Sequence, residues 1–302
     1  MDKNAFPFVA PQEINIVSGP PLLVVLLNSG LLGVLSVQIY LYYLAFPKDR
    51  MYLKCLVYGI YFLEFVQTVL VIHALFRTFV TNFGDVQALD RVETLWLSVP
   101  VLTTIDTFFV QGFYAHRISI LAQSKKVAGV ILILSLIQLG GGLAVGVQAQ
   151  RNKYYSVLNS PEIVVFANIS VGIWTVGSAL CDIIIAVCMT YHLSRYEPTV
   201  KETRIILKKI IRLTVETGTL TAVIGIVCFS IAILPNNPYS YKVPMAVIGK
   251  VYANSMLVLI NSRMVLLGPE QTSLRVMLPL KFGTAPANGE NIVSGDISPD
   301  SY

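Results

Sequence analysis

Long apolar runs alternate with short polar breaks along this chain. Seven runs stand out, at Pro20–Phe46, Tyr52–Phe76, Leu95–Ala115, Val127–Ala149, Ile163–Tyr191, Leu213–Leu234 and Pro244–Leu267. At a rise of about 1.5 Å per residue, each can cross ~30 Å of hydrocarbon. Lipid offers no water to backbone N–H and C=O groups, so such runs predict helices. A β-barrel would show alternating segments of about ten residues, and these runs are continuous. The pattern predicts an all-α integral membrane protein, a seven-transmembrane helix bundle. The breaks carry turn residues: Pro47-Lys48-Asp49-Arg50 after the first run and Pro235-Asn236-Asn237-Pro238 after the sixth. Gly268-Pro269 ends the seventh.

This divides the chain into an outer N-terminal segment (1–19), a helical domain (20–267) and a cytoplasmic tail (268–302). The tail is rich in Pro, Gly, Ser, Asn and Asp and reads as disordered. No basic region leads into an apolar core within residues 1–19, so the first run is expected to act as an uncleaved signal-anchor.

Composition agrees with the pattern. Of 302 residues, 55% are hydrophobic and only 13% charged, and the mean hydropathy is +0.68. A soluble domain carries roughly 25% charged residues. So few polar groups cannot cover a water-facing surface, which makes the lipid bilayer the expected partner.

The net charge of +5 is a topology signal rather than a sign of an acidic partner. Lys48, Arg50, Arg117, Lys125, Lys126, Arg195, Lys201, Arg204, Lys208, Lys209, Arg263, Arg275 and Lys281 fall in the odd-numbered loops and the tail. The N-terminus and even loops hold fewer: Lys3, Arg77, Arg91, Arg151, Lys153 and Lys242. The excess puts the odd loops inside, with the N-terminus outside and the C-terminus cytoplasmic. The plasma membrane is the expected location, with an endomembrane as the alternative. The basic loop 192–211 is either a solvated helix extension facing anionic headgroups or a docking surface for a cytoplasmic protein. Nucleic acid is excluded as a partner, because no basic groove with interleaved aromatics and no zinc-ligand spacing is present.

Cys55, Cys181, Cys188 and Cys228 lie within or at the edges of apolar runs, so no structural disulfide is expected. The sequon Asn168-Ile169-Ser170 lies inside the fifth run, out of reach of glycosylation. Gly140-Gly141-Gly142 and Gly146 in the fourth run allow close helix approach, for packing within the bundle or for dimerisation.

Ionisable groups within the runs carry the candidate chemistry, because each is costly in lipid and normally faces protein or water. Candidates for a ligand or ion pathway are Glu64, Asp106, Asp182, Lys250, Asn254 and Asn261. Lys250, Asn254 and Asn261 share one side of the seventh helix, which predicts that this side faces the interior. Asp106 and Lys250 differ in depth by about 7–8 Å at the helical rise, a gap a lysine can bridge, so their pairing is the favoured expectation. The alternative has Lys250 snorkelling outward and Asp106 held by Thr103, Thr104 and Thr107. Trp174, Ser178 and Asp182 recur every four residues, as an interior face would. Arg117, Arg212, Glu216 and Arg263 near the inner ends are candidates for a cytoplasmic switch. His73 and His116 stand apart and form no metal site. A lysine in a seventh helix brings retinal proteins to mind, but position 246, where microbial ones place an acid, is Ala. No nucleophile motif, phosphate loop or acidic metal cluster is present, so neither an enzyme nor a cofactor is expected.

Two stretches carry a family resemblance. They are Arg212-Leu213-Thr214-Val215-Glu216-Thr217-Gly218, and Lys250-Val251-Tyr252-Ala253-Asn254-Ser255 with Leu259-Ile260-Asn261-Ser262-Arg263. With the Pro235-Asn236-Asn237 turn, the chain resembles a large, basidiomycete-rich fungal family of multi-pass membrane proteins filed as a domain of unknown function. The resemblance runs from the first span to Arg263 and implies fold and topology, with no activity or ligand. A receptor-like or sensor protein is the first functional expectation. A transporter or channel that uses the intramembrane acids is the second, and either serves an unidentified small ligand or ion.

Overall fold

Apolar runs become helices because a helix satisfies its own backbone. The structure, a computed structural model, describes residues 11–122, 125–158, 160–195 and 242–267, together with positions 212, 215, 216, 218, 219, 223 and 226. Helix α1 spans Pro11–Ala45 and α2 spans Met51–Phe76, continued by a π turn at Arg77–Thr81. A π turn at Leu97–Leu102 leads into α3, Thr103–Leu121. Next come α4 (Lys125–Asn152), the single turn α5 (Tyr155–Leu158), α6 (Pro161–Arg195) and α7 (Lys242–Asn261). A 3-10 segment, Ser262–Leu267, follows α7. Among the described residues there is no strand, only one isolated bridge between Arg91 and Tyr154.

Five helices are long and apolar enough to cross a membrane: Gly19–Ala45, Met51–Thr81, Lys125–Asn152, Ile163–His192 and Val243–Met264. They coincide with the first, second, fourth, fifth and seventh apolar runs. The third run forms the π turn and α3, whose buried residues include Thr103, Thr104, Asp106, Thr107 and Gln111. It packs against α2, α4, α6 and α7 and is not among the five membrane-length helices. Most of the sixth predicted run, the Pro235–Pro238 turn, Cys228, residues 196–211 of the basic loop and the tail from Gly268 lie outside the described residues. Helix α1 begins earlier than the first run, and Pro20 and Pro21 fall inside it instead of starting it.

The bundle is apolar on its surface and polar at mid-depth. Leu26 is 70% exposed, and Phe62, Val165 and Val187 are similarly open, as suits lipid-facing side chains. Two apolar core zones stack along the bundle. One holds Val24, Val71, Leu75, Trp174, Met245 and Ala246 near the N-terminal end of α1. The larger one, toward the opposite end, includes Leu35, Tyr42, Ile60, Val110, Ile131, Ile185 and Met256. Between them every long helix contributes a buried polar side chain: Asn28, Glu64 and Gln67, Thr103 and Asp106, Ser135 and Gln138, Ser178, and Lys250.

The glycines of the fourth run act within the bundle. A Cβ at Gly141 would sit 2.9 Å from the backbone nitrogen of Trp174 on α6, and one at Gly142 would overlap the Thr104 side chain on α3. Helix α4 therefore rests directly on both neighbours. Substituting Gly142→Val forces α4 away from α3. We expect a loss of about 1–3 kcal/mol, read as a lower midpoint of thermal unfolding for the full chain in detergent. An unchanged midpoint would show that this contact is not close.

Candidate buried charge site

Helix α7 brings Lys250 into the polar layer, where it is 0% exposed. Its Nζ donates to Glu64 Oε2 at 2.5 Å, to the Glu64 carbonyl oxygen at 3.0 Å and to Gln67 Oε1 at 3.3 Å. An ammonium has three N–H groups, and all three are received. The neighbouring residue makes this approach feasible. A Cβ at Gly249 would lie 3.0 Å from Glu64 Oε1 and 3.3 Å from Thr103 Cγ2, so a side chain there would push α7 off α2 and α3. Gln67 is itself fixed, because its Nε2 donates to the Ser98 carbonyl at 3.0 Å and to Thr103 Oγ1 at 2.8 Å. The π turn before α3 and the first residue of α3 thus supply the two anchors for the amide that steadies the lysine.

Asp106 stands beside this pair, but it is not the partner of Lys250. The Asp106–Lys250 pairing expected from depth is corrected by the lysine's saturation: Glu64 and Gln67 take every N–H. Among the described residues, neither Asp106 oxygen receives a hydrogen bond, nor does Glu64 Oε1. The acid that bears on the Asp106 side chain is the carboxyl of Glu64. Both groups are acceptors when ionised, so the contact becomes a hydrogen bond only if one of them carries a proton. Glu64 and Asp106 are each 1% exposed, and no solvent screens them.

The other predicted residues fall into separate contacts. Asp182 and Ser178 on α6 both meet the Tyr252 hydroxyl of α7, Ser178 Oγ at 2.8 Å and Asp182 through Oδ2. Asn254 and Asn261 turn toward α1 rather than the interior. Asn254 Oδ1 accepts from Gln38 Nε2 at 3.2 Å, and Asn261 Nδ2 donates to the Gln38 carbonyl at 2.9 Å. The single polar side expected for α7 is therefore divided, because Lys250 faces α2 while the asparagines pin α1. Sequence reasoning passed over Gln67, Gln111, Ser135, Gln138 and Tyr252. Gln111 Oε1 on α3 accepts from Ser135 Oγ at 2.6 Å and from Gln138 Nε2 at 2.7 Å, joining α3 to α4. Gln67 lies three residues after Glu64, Gln111 four after Thr107 and Gln138 three after Ser135, and that helical spacing was the available signal.

At the opposite end, Arg263 Nη2 pairs with Asp49 Oδ2 at 2.6 Å and its guanidinium lies 4.3 Å from the Phe46 ring centroid. The Tyr42 hydroxyl also donates to Asp49, at 3.2 Å. This ties the first loop to the end of α7. Arg117 lies over Phe113 at 5.9 Å. Arg212 and Glu216 pair with each other at 2.7 Å on an exposed surface. The four switch candidates thus form no single cluster.

A cavity of about 150 Å³ opens at the end of the bundle that holds the N-terminal part of α1. Its walls include Val24, Leu75, Trp96, Val171, Trp174 and Ala246. Ala246 is one helical turn from Lys250, and Trp174 one turn from Ser178. The floor of the cavity therefore rests on the polar layer.

Residues 178–265 match the Family of unknown function (DUF6534). The matched stretch holds Asp182, Lys250, Tyr252, Asn254, Asn261 and Arg263, and so the α6 and α7 sides of the contacts above. Neither the curated proteins nor the solved structures contain a match to the chain.

Removing one member of the buried pair strands the other charge. Lys250→Met alone is expected to lose about 3–5 kcal/mol of stability, and Glu64→Gln together with Lys250→Met much less. A double-mutant cycle on unfolding in mixed micelles checks this. Additive losses at positions 64 and 250 would contradict the pairing.

Proposed function

We propose that this chain is a receptor-like or sensor membrane protein that takes a small apolar molecule at the outer end of a seven-helix bundle. In this reading the N-terminus is outside, the C-terminus is cytoplasmic, and the sixth span is Leu213–Leu234. The reading includes a plasma-membrane location, a fungal source, a cytoplasmic protein partner at the basic loop 192–211 and a role other than enzyme. The observation that carries it is the apolar cavity resting on the buried charge layer. A cavity of about 150 Å³ with mostly apolar walls, to which Gln148 and Asn168 add polar groups, has room for a molecule of about benzene's size. An occupant would press on Ala246 and Trp174, each one turn from a polar contact that joins α7 to another helix. Ligand entry would then bear on Lys250 and Tyr252 without touching either.

A second reading, a transporter that passes a cation by Glu64 and Asp106, draws support from their unpartnered oxygens. The two readings differ in what fills the outer cavity and in whether anything crosses.

Both tryptophans of the chain, Trp96 and Trp174, line the cavity. Bromine quenches indole fluorescence on contact, so bromobenzene is a suitable probe for the full chain in nanodiscs. The expected result is saturable quenching that unbrominated benzene reverses and that Ala246→Phe abolishes. Quenching that rises linearly, resists competition and survives Ala246→Phe would reflect partition into lipid and would sink the receptor reading. Proton or sodium uptake by vesicles holding the protein, without saturable quenching, would favour the transporter.

A further inference from the structure

The charge layer contains two acids and one base. Lys250 is saturated by Glu64 and Gln67, and Asp106 receives no hydrogen bond although it is buried. The charged groups bearing on Asp106 are Glu64 from α2 and Lys250 from α7. With both carboxyls ionised, the cluster would hold a net negative charge in a low-dielectric interior, with two anions face to face. Like charges sharing a dry site cannot both stay ionised. Burial without a partner is costly for a carboxylate, and here no N–H or O–H among the described residues comes to relieve it.

We propose that Glu64 and Asp106 bind one proton between them, so that with Lys250 the cluster is electrically neutral. The proton comes from water and forms one O–H bond. It sits between Glu64 Oε1, the oxygen that Lys250 leaves free, and an oxygen of Asp106. It turns a contact between two acceptors into a donor–acceptor pair, satisfying atoms that are otherwise orphaned. Gly249 closes the site from the α7 side, since its missing side chain lets Glu64 Oε1 lie against the helix backbone. The layer therefore contains a binding site whose ligand is a proton. Loss of that proton would set a negative charge against α3 and α7, one turn beneath the outer cavity. The site stands on the geometry of three side chains and does not depend on whether the cavity takes a ligand.

Infrared spectroscopy of the full chain in nanodiscs tests it. A protonated carboxyl gives a C=O band that a carboxylate lacks, and exchange into D2O shifts that band. At neutral pH the wild-type chain is expected to show the band, and Asp106→Asn and Glu64→Gln each to lose it. Asp182→Asn, in a different contact, should keep it. Should either substitution fail to fold, wild-type chain grown with isotope-labelled aspartate or glutamate reports the same assignment by shifting the band. Absence of the band in the wild-type chain would overturn the proposal, as would a band that persists in Asp106→Asn. A band that appears only when sodium is removed would mean that a metal cation neutralises the cluster, and would overturn it equally.

Discussion

A charged ammonium can sit at the centre of an apolar bundle only if each of its N–H groups is received and an opposite charge is close. Lys250 meets both conditions at once. The contact joins α7 to α2 directly, and through Gln67 it reaches Thr103 and the Ser98 carbonyl at the start of α3. Three helices are therefore registered by one side chain and the amide that steadies it. The register is specific because a one-residue shift of α7 would rotate the lysine off α2 and expose the cost of burying it. Gly249 is the steric counterpart of that electrostatic demand.

The rest of the bundle repeats the principle more gently. Polar side chains meet in pairs between helices at the same depth: Gln111 with Ser135 and Gln138, and Tyr252 with Ser178 and Asp182. In lipid the hydrophobic effect does little to hold one helix to another, so packing and interhelical hydrogen bonds set the partners. Close contact at Gly141 and Gly142 supplies the packing. The apolar zones on either side of the layer fill space, and at one end they leave a cavity. At the other end, the Asp49–Arg263 pair closes the chain's first turn onto the end of α7.

Asp106 is the exception that gives the layer its chemistry. Each of the other acids in the layer has a protein partner, and Asp106 has only another acid. That unpartnered carboxyl is where the proposed proton would bind. The apolar cavity and the charge cluster lie one turn apart along the same helices.

The sequence by itself determined that the first, second, fourth, fifth and seventh runs are helices of membrane-crossing length. Apolar run length and backbone satisfaction in lipid are local properties, readable without knowing any neighbour. It also marked Glu64, Asp106, Asp182 and Lys250 as interior, because lipid cannot satisfy them, and Gly141 and Gly142 as contact points. The partners were decided only by tertiary structure. Depth along two helices suggested Asp106 for Lys250, but pairing also depends on the rotation of each helix and on how many donors a group has left. Rotation sent Asn254 and Asn261 to α1 and Lys250 to α2, though all three lie on one helix. Donor count left Asp106 without the lysine. Asp49 and Arg263, far apart in the chain, met because α1 and α7 pack side by side. None of this has a signature in a single run of residues, because it arises where two helices face each other.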